Sequence, residues 1–153
     1  ARLSGVASMP LFNDSLVLVT GRQMLRRMNG TFPAKRLPEL KLVLPSTRQG
    51  MRRLLDALLS DAGIVVEPQI ELDSLGATLD LVRQSDWATI LPIAAVQRAV
   101  AAKSVRALTI VDPKILREVV VIYNAQRPPN IAGKLMIELL QKNLEELLVS
   151  PAT

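Results

Sequence analysis

The chain has 153 residues, 49% of them apolar, which is enough for one ordinary domain or two small lobes with a buried core. Its formal net charge of +5 favours anionic partners in general, or reflects no more than a solvated basic surface. The absence of Cys excludes disulfides, thiolate metal sites and Cys nucleophiles, and the absence of His removes the usual general base and the commonest metal ligand.

The aromatic set is Phe12, Phe32, Trp87 and Tyr123, too sparse to build a stacking platform for single-stranded nucleic acid. The densest basic stretch is spread over Arg22, Arg26, Arg27, Lys35 and Arg36, without a run of like charges. There is no apolar stretch of membrane-spanning length and no signal peptide, so a soluble, cytoplasmic protein is the expectation. The first residue is Ala1 rather than Met, which suggests a fragment or a processed product.

In chain order, "DSLVLV" (14–19) is apolar and β-branched and reads as a strand. "TGRQMLRRMNGTFPAKRLPEL" (20–40), with its Gly, Pro and basic residues, reads as a loop or a connector between lobes. "KLVLP" (41–45) is a buried-type strand. Over 49–62, Met51, Leu54, Leu55, Leu58 and Leu59 recur at helical spacing, and Gly63 stands where a helix C-terminal cap belongs. "VEPQIELD" (66–73) is the next strand, and Asp73 or Ser74 can cap a helix carrying Leu75, Leu79 and Val82 on one face.

"WATILP" (87–92) is a third strand, followed by an Ala-rich helix, "IAAVQRAVAAK". "VRALTIV" (105–111) and "REVVVIYN" (117–124) complete the strands. Pro128 and Pro129 break the chain, and Asn130 then caps a last helix with a stripe of Leu135, Leu139, Leu140, Leu144, Leu147 and Leu148. Strand–helix alternation with right-handed crossovers predicts a parallel sheet covered by helices.

Ligands of open α/β sheets bind beyond the carboxyl ends of the strands. Turns expected at that edge are Ser46-Thr47-Arg48, Asp73-Ser74 and Pro92-Ile93. The first offers hydroxyls, a cation and a helix N-terminus, where unpaired N–H groups and aligned peptide dipoles favour an anion. The alternative is that Ser46 or Thr47 simply caps the helix. No G-x-x-x-x-G-K-[ST] or G-x-G-x-x-G motif supports a nucleotide. Ser46 has no His to activate it, although a Lys could in principle substitute. Glu71 and Asp73 lie two apart on one strand face and could invite acid/base work, but a carboxylate at a strand end more often serves as a cap. Trp87 reads as a core or rim packer.

The ordered set "LFNDSLVLV", "LKLVLPSTRQGMRRLLDALLSDAGI", "ELDSLGATLDLVRQSDWATILP" and "LTIVDPKILREVVVIYNAQRPPNIAGKLMIELLQ" resembles the effector-binding domain of LysR-type transcriptional regulators, over about 11–148. Within that family, "LPSTRQGMRRLLD" and "IELDS" look nearest the nitrogen-assimilation-control subgroup. The resemblance implies a bacterial α/β protein with a type 2 periplasmic-binding-protein-like fold of two Rossmann-like lobes. Residues 1–37 would be part of lobe one and the crossover, 38–111 lobe two, and 112–153 the return to lobe one, pairing beside "DSLVLV".

The resemblance also implies an effector cleft between the lobes, lined by Ser46, Thr47, Arg48 and Gln49, by Pro92 and Ile93, and by the crossover near Thr20. The first part of lobe one and the winged helix-turn-helix of such regulators are missing, so lobe one is expected to be incomplete. Operator DNA would be bound only through that absent N-terminal domain, and the full-length protein would be a homodimer or homotetramer.

The leading expectation is therefore a sensor. A small metabolite, expected to be an organic anion, would bind between the lobes and shift the balance of two arrangements by its differential affinity for them. No catalysis, cofactor, metal or membrane is expected. A transport-type solute-binding protein of the same fold is the alternative. An enzyme built on Ser46, Arg48 and Asp73, or a pure oligomerisation module, are the remaining readings.

Overall fold

The computed structural model describes residues 5–24 and 29–149, with side chains as far as residue 143. Arg26 and Arg27 of the basic stretch, and the side chains of Leu144, Leu147 and Leu148, lie outside the described residues. The chain divides into two compact units, one of Ser15–Leu116 and one of Ala1–Asp14 with Arg117–Thr153.

Seven strands and four α-helices are described: β1 Val6–Thr20, β2 Thr31–Pro33, β3 Val43–Leu44, α1 Gly50–Asp61, β4 Ile70–Glu71, α2 Leu75–Gln84, β5 Ala88–Pro92, α3 Ile93–Ala101, β6 Arg106–Val111, β7 Leu116–Asn124 and α4 Ile131–Val149. A 3-10 helix, Ala34–Glu39, follows β2. The β2 strand and this helix fall in the stretch expected to be a loop or a connector between lobes. β2 is only three residues long and ends in Pro33, as suits an edge strand that lacks a donor there.

The expected parallel sheet is corrected to a mixed one. β1 pairs antiparallel with both β5 and β6, while β2 runs parallel to β6 and β3 parallel to β4. A parallel bridge between Leu42 and Ala88 sets β3 beside β5. The crossover rule governs strands joined by a helix. β1 precedes that alternating run, so the rule does not constrain its direction, and it enters at the centre of the sheet.

Leu16 to Thr20 of β1 are all buried, because helices cover both faces of this central strand. Leu16 and Leu18 face one core with Leu55 and Leu59 of α1, Ile90, Leu108 and Ile110. Val17 and Val19 face the other, with Leu79 and Val82 of α2, Leu91 of β5 and Val96 of α3. The alternation of side chains along a strand divides β1 between the two layers. Trp87 is half-buried against the second core, as a packer.

Local signals read from the sequence hold at the helix ends. Gly63 adopts φ +72, and its N–H donates to the Ser60 carbonyl at 2.9 Å while that of Ile64 reaches Leu59 at 2.8 Å. This left-handed residue closes α1 without the steric cost a side chain would carry. Gly21 answers a different need: a Cβ there would lie 2.7 Å from the Val82 carbonyl oxygen. "VEPQIELD" contributes only Ile70–Glu71 to the ladder, since Pro68 cannot donate and the Leu42 N–H is taken by the Gln69 side chain at 2.7 Å.

In the other unit, β7 pairs with β1. Arg117 donates from Nε and Nη2 to Oδ2 of the fully buried Asp14, at 3.3 and 2.9 Å. Asn130 caps α4 by accepting from the Gly133 N–H at 2.9 Å. Among the described residues of α4 only Ile137 is buried; Ile131, Leu135, Met136, Leu139 and Leu140 are exposed.

Candidate functional site

Parallel pairing of β3 with β4, and of Leu42 with Ala88, brings the carboxyl ends of β3, β4 and β5 to one edge of the Ser15–Leu116 unit. The junctions β3–α1, β4–α2 and β5–α3 therefore converge there. They carry Ser46 to Gln49, Asp73 with Ser74, and Pro92 with Ile93.

The β3–α1 and β4–α2 junctions are tied directly. The Ser46 N–H donates to Asp73 Oδ1 at 2.9 Å, and the Ser46 hydroxyl to Asp73 Oδ2 at 2.9 Å. The Arg48 guanidinium stands 3.6 Å from the same carboxylate. These donors hold the Asp73 carboxyl below its ordinary range, the Ser46 backbone N–H most strongly, then the Ser46 hydroxyl, with smaller help from Arg48 and Gln49 against partial desolvation. Neither Ser46 nor Thr47 caps α1; the N-cap position is Gln49, without a side-chain bond. Asp73 does not cap α2 either. Ser74 does so, accepting from the Ala77 N–H at 3.4 Å.

Beneath the turn lies a buried arginine that sequence reasoning passed over. Arg52 donates from Nε to Asp56 at 2.9 Å, and from Nη1 to the Pro45 carbonyl at 2.9 Å and to Glu71 at 3.2 Å. It thus pins the end of β3 to β4. The signal was available: Arg52 lies on the α1 face that carries Leu55 and Leu59, where a cation must find partners. Arg53 reaches back to the Thr47 and Arg48 carbonyls at 3.1 and 2.7 Å. The turn is therefore held rigidly from below and from α1.

The remaining site residues are placed unequally. Thr47, Arg48 and Gln49 are exposed, Ser46 and Ile93 are half-buried, and Pro92 is buried as the N-cap of α3. Thr20 is not brought to this edge. It pairs with Ala88 at the start of β5, whereas Leu16 pairs with Pro92 at its end. Four residue steps of strand separate the two, roughly 13 Å. Thr20 is fully buried, its Oγ1 without a hydrogen-bond partner. The boundary between the two compact units along β1 falls at Asp14–Ser15.

No group of His, Cys, Asp and Glu among the described residues could hold a metal ion, and none of the described helices is long and apolar enough to cross a membrane. In the Ala1–Asp14/Arg117–Thr153 unit, an open groove of about 570 Å³ lined by Val6, Ile122, Tyr123, Asn124 and Gln126 carries no charged side chain.

Residues 2–145 match the LysR substrate binding domain. The chain belongs to that family. The LysR-domain fold is shared by solved structures of low sequence identity. One is an H2O2-bound cysteine mutant of Corynebacterium glutamicum OxyR, at TM-score 0.79 and 17% identity, covering 96% of this chain and 47% of that one. Another is the Synechocystis PCC6803 CcmR regulatory domain in complex with 2-PG, at 0.76 and 16%, covering 94% and 69%. A third is the effector binding domain of QuiR in complex with shikimate, at 0.74 and 18%, covering 95% and 68%. The chain thus spans about half the length of that OxyR chain and about two thirds of the CcmR and QuiR domains. The LysR domain, with its type 2 periplasmic-binding-protein-like fold, is the architecture expected from the ordered motifs.

Proposed function

We propose that this LysR domain is the effector-sensing part of a transcriptional regulator. A small organic anion contacts Ser46, Thr47, Arg48 and Gln49, with Pro92 and Ile93 shaping the wall beside them. The observation that carries this reading is the convergence of the β3, β4 and β5 carboxyl ends around a Ser–Arg turn, in a family whose solved members include complexes with shikimate and 2-PG. No bond is made or broken. The effector acts by binding one arrangement of the regulator better than another, which couples its site to DNA binding elsewhere in the longer protein.

On this reading 38–111 forms lobe two, 1–37 supplies part of lobe one and the crossover, and 112–153 returns to lobe one with the C-terminal helix. Operator DNA is bound by a separate N-terminal segment, and the working protein is a cytoplasmic homodimer or homotetramer.

The test is a panel of small organic acids, shikimate among them, screened by thermal shift on the whole protein and then by operator-binding titration. A ligand that binds the native form raises the melting temperature by mass action. One acid is expected to raise it and to change operator affinity, with Ser46→Ala weakening that acid about tenfold, equivalent to about 1.4 kcal/mol. Ligand binding without any effect on DNA would point to a transport-type binding protein. No shift with any acid would remove the sensing reading.

A further inference from the structure

We infer that Asp73 is an internal competitor for the anion-receiving groups of the β3–α1 turn, so that an anionic ligand enters by displacing it. This rests on the reading that the turn is the effector's contact. The groups a ligand carboxylate would use are the Ser46 N–H, the Ser46 hydroxyl and the Arg48 guanidinium. In the structure all three already face one carboxylate, at 2.9, 2.9 and 3.6 Å.

That carboxylate comes from a different junction, β4–α2, and its side chain is 35% exposed. It can therefore swing out without opening the core. The lowered Asp73 pKa agrees with the same grip.

Exchanging one carboxylate for another conserves the bonds, so the displacement itself is nearly balanced. A tethered rival also competes at a high effective concentration. A lone monoanion gains little against it. The occupant expected is a dianion, or a carboxylate carrying further polar groups for Thr47 and Gln49. The released Asp73 then frees the start of α2, whose cap, Ser74, is the next residue. Binding is thereby linked to a movement of that junction.

The experiment is calorimetric titration of the whole protein with succinate and with inorganic phosphate, glycerol serving as the neutral control. Wild type is compared with Asp73→Asn, with Asp73→Asn/Arg48→Gln, and with Ser46→Ala. Circular dichroism checks folding, and Asp73→Ser replaces Asp73→Asn if the latter unfolds. The expected result is at least a tenfold tighter affinity of Asp73→Asn for either anion, no change for glycerol, and loss of the gain in the double variant.

Equal or weaker anion binding by Asp73→Asn overturns the competition, as does a gain that survives removal of Arg48. If Ser46→Ala then still weakens binding, the turn remains the contact and only the competition falls. If neither variant alters binding, the turn is not the anion's contact and both readings fall. Absence of binding by every form overturns the competition too, since removing the rival would have exposed no site.

Discussion

Asp73 is the residue on which the chemistry of the edge turns. From the sequence it reads as a cap or half of a carboxylate pair with Glu71; in the structure it binds Ser46 and approaches Arg48, while Glu71 pairs with Arg52. Its folded-state pKa lies below the ordinary 3.8. A depressed carboxylate pKa means the unfolded chain binds more protons in that window, so stability rises with pH there. The contribution is fully present above about pH 4 and is lost as pH falls through the folded value. Asp73→Asn is therefore expected to be less stable than wild type at neutral pH, with the gap narrowing below pH 4. Urea denaturation at stepped pH measures it, and a gap that is constant with pH would mean the ionised form gains nothing from its partners. Asp86, lowered by Lys41, steepens the acid limb of both proteins alike.

Arg52 works between elements, joining α1 to the ends of β3 and β4. Its side chain is 7% exposed, while Asp56 and Glu71 are 38% and 49% exposed. Removing the cation leaves those carboxylates able to reach water, which lowers the cost below that of breaking a fully buried pair. The Pro45 carbonyl also loses its donor. Arg52→Met keeps most of the buried stem and is expected to cost about 1–3 kcal/mol, read by urea denaturation. Arg52→Lys should recover only part, because an ammonium cannot span the guanidinium's set of partners. A cost within about 0.5 kcal/mol, the range of ordinary surface substitutions, would show that the strand ends hold without it.

On the scale of the molecule, the two compact units differ in how their apolar residues are used. The Ser15–Leu116 unit encloses two cores on either side of a central strand. In the other unit, Leu135, Met136 and Leu139 of α4 are each more than half exposed. Leu55→Ala, at a position with no exposure, is expected to cost about 2–5 kcal/mol. Leu135→Ala, at 54% exposure, is expected to cost under about 1 kcal/mol in this chain. Parallel denaturation curves test the pair; equal costs would show that the exposed face of α4 contributes as much as the core.

What could be read from the residues alone was local. The apolar spacing of Met51 to Leu59, Gly63 after α1, Ser74 before α2 and Asn130 before α4 each act over one or two turns of chain, and the structure has them as expected. The ordered motifs also sufficed for the family, because they preserve the sequence of elements. The direction of β1 was not legible, since no adjoining helix forces a crossover on it. Nor was the partner of Asp73, or the distance of Thr20 from Pro92, because register is set by pairing residues some 70 positions apart. Arg52 has one local partner, Asp56 one turn on in α1, but the Pro45 carbonyl and Glu71 come within its reach only once the sheet is packed. Short-range propensity is written along the chain, whereas the edge where Ser46, Arg48 and Asp73 meet exists only after long-range pairing has aligned β3, β4 and β5.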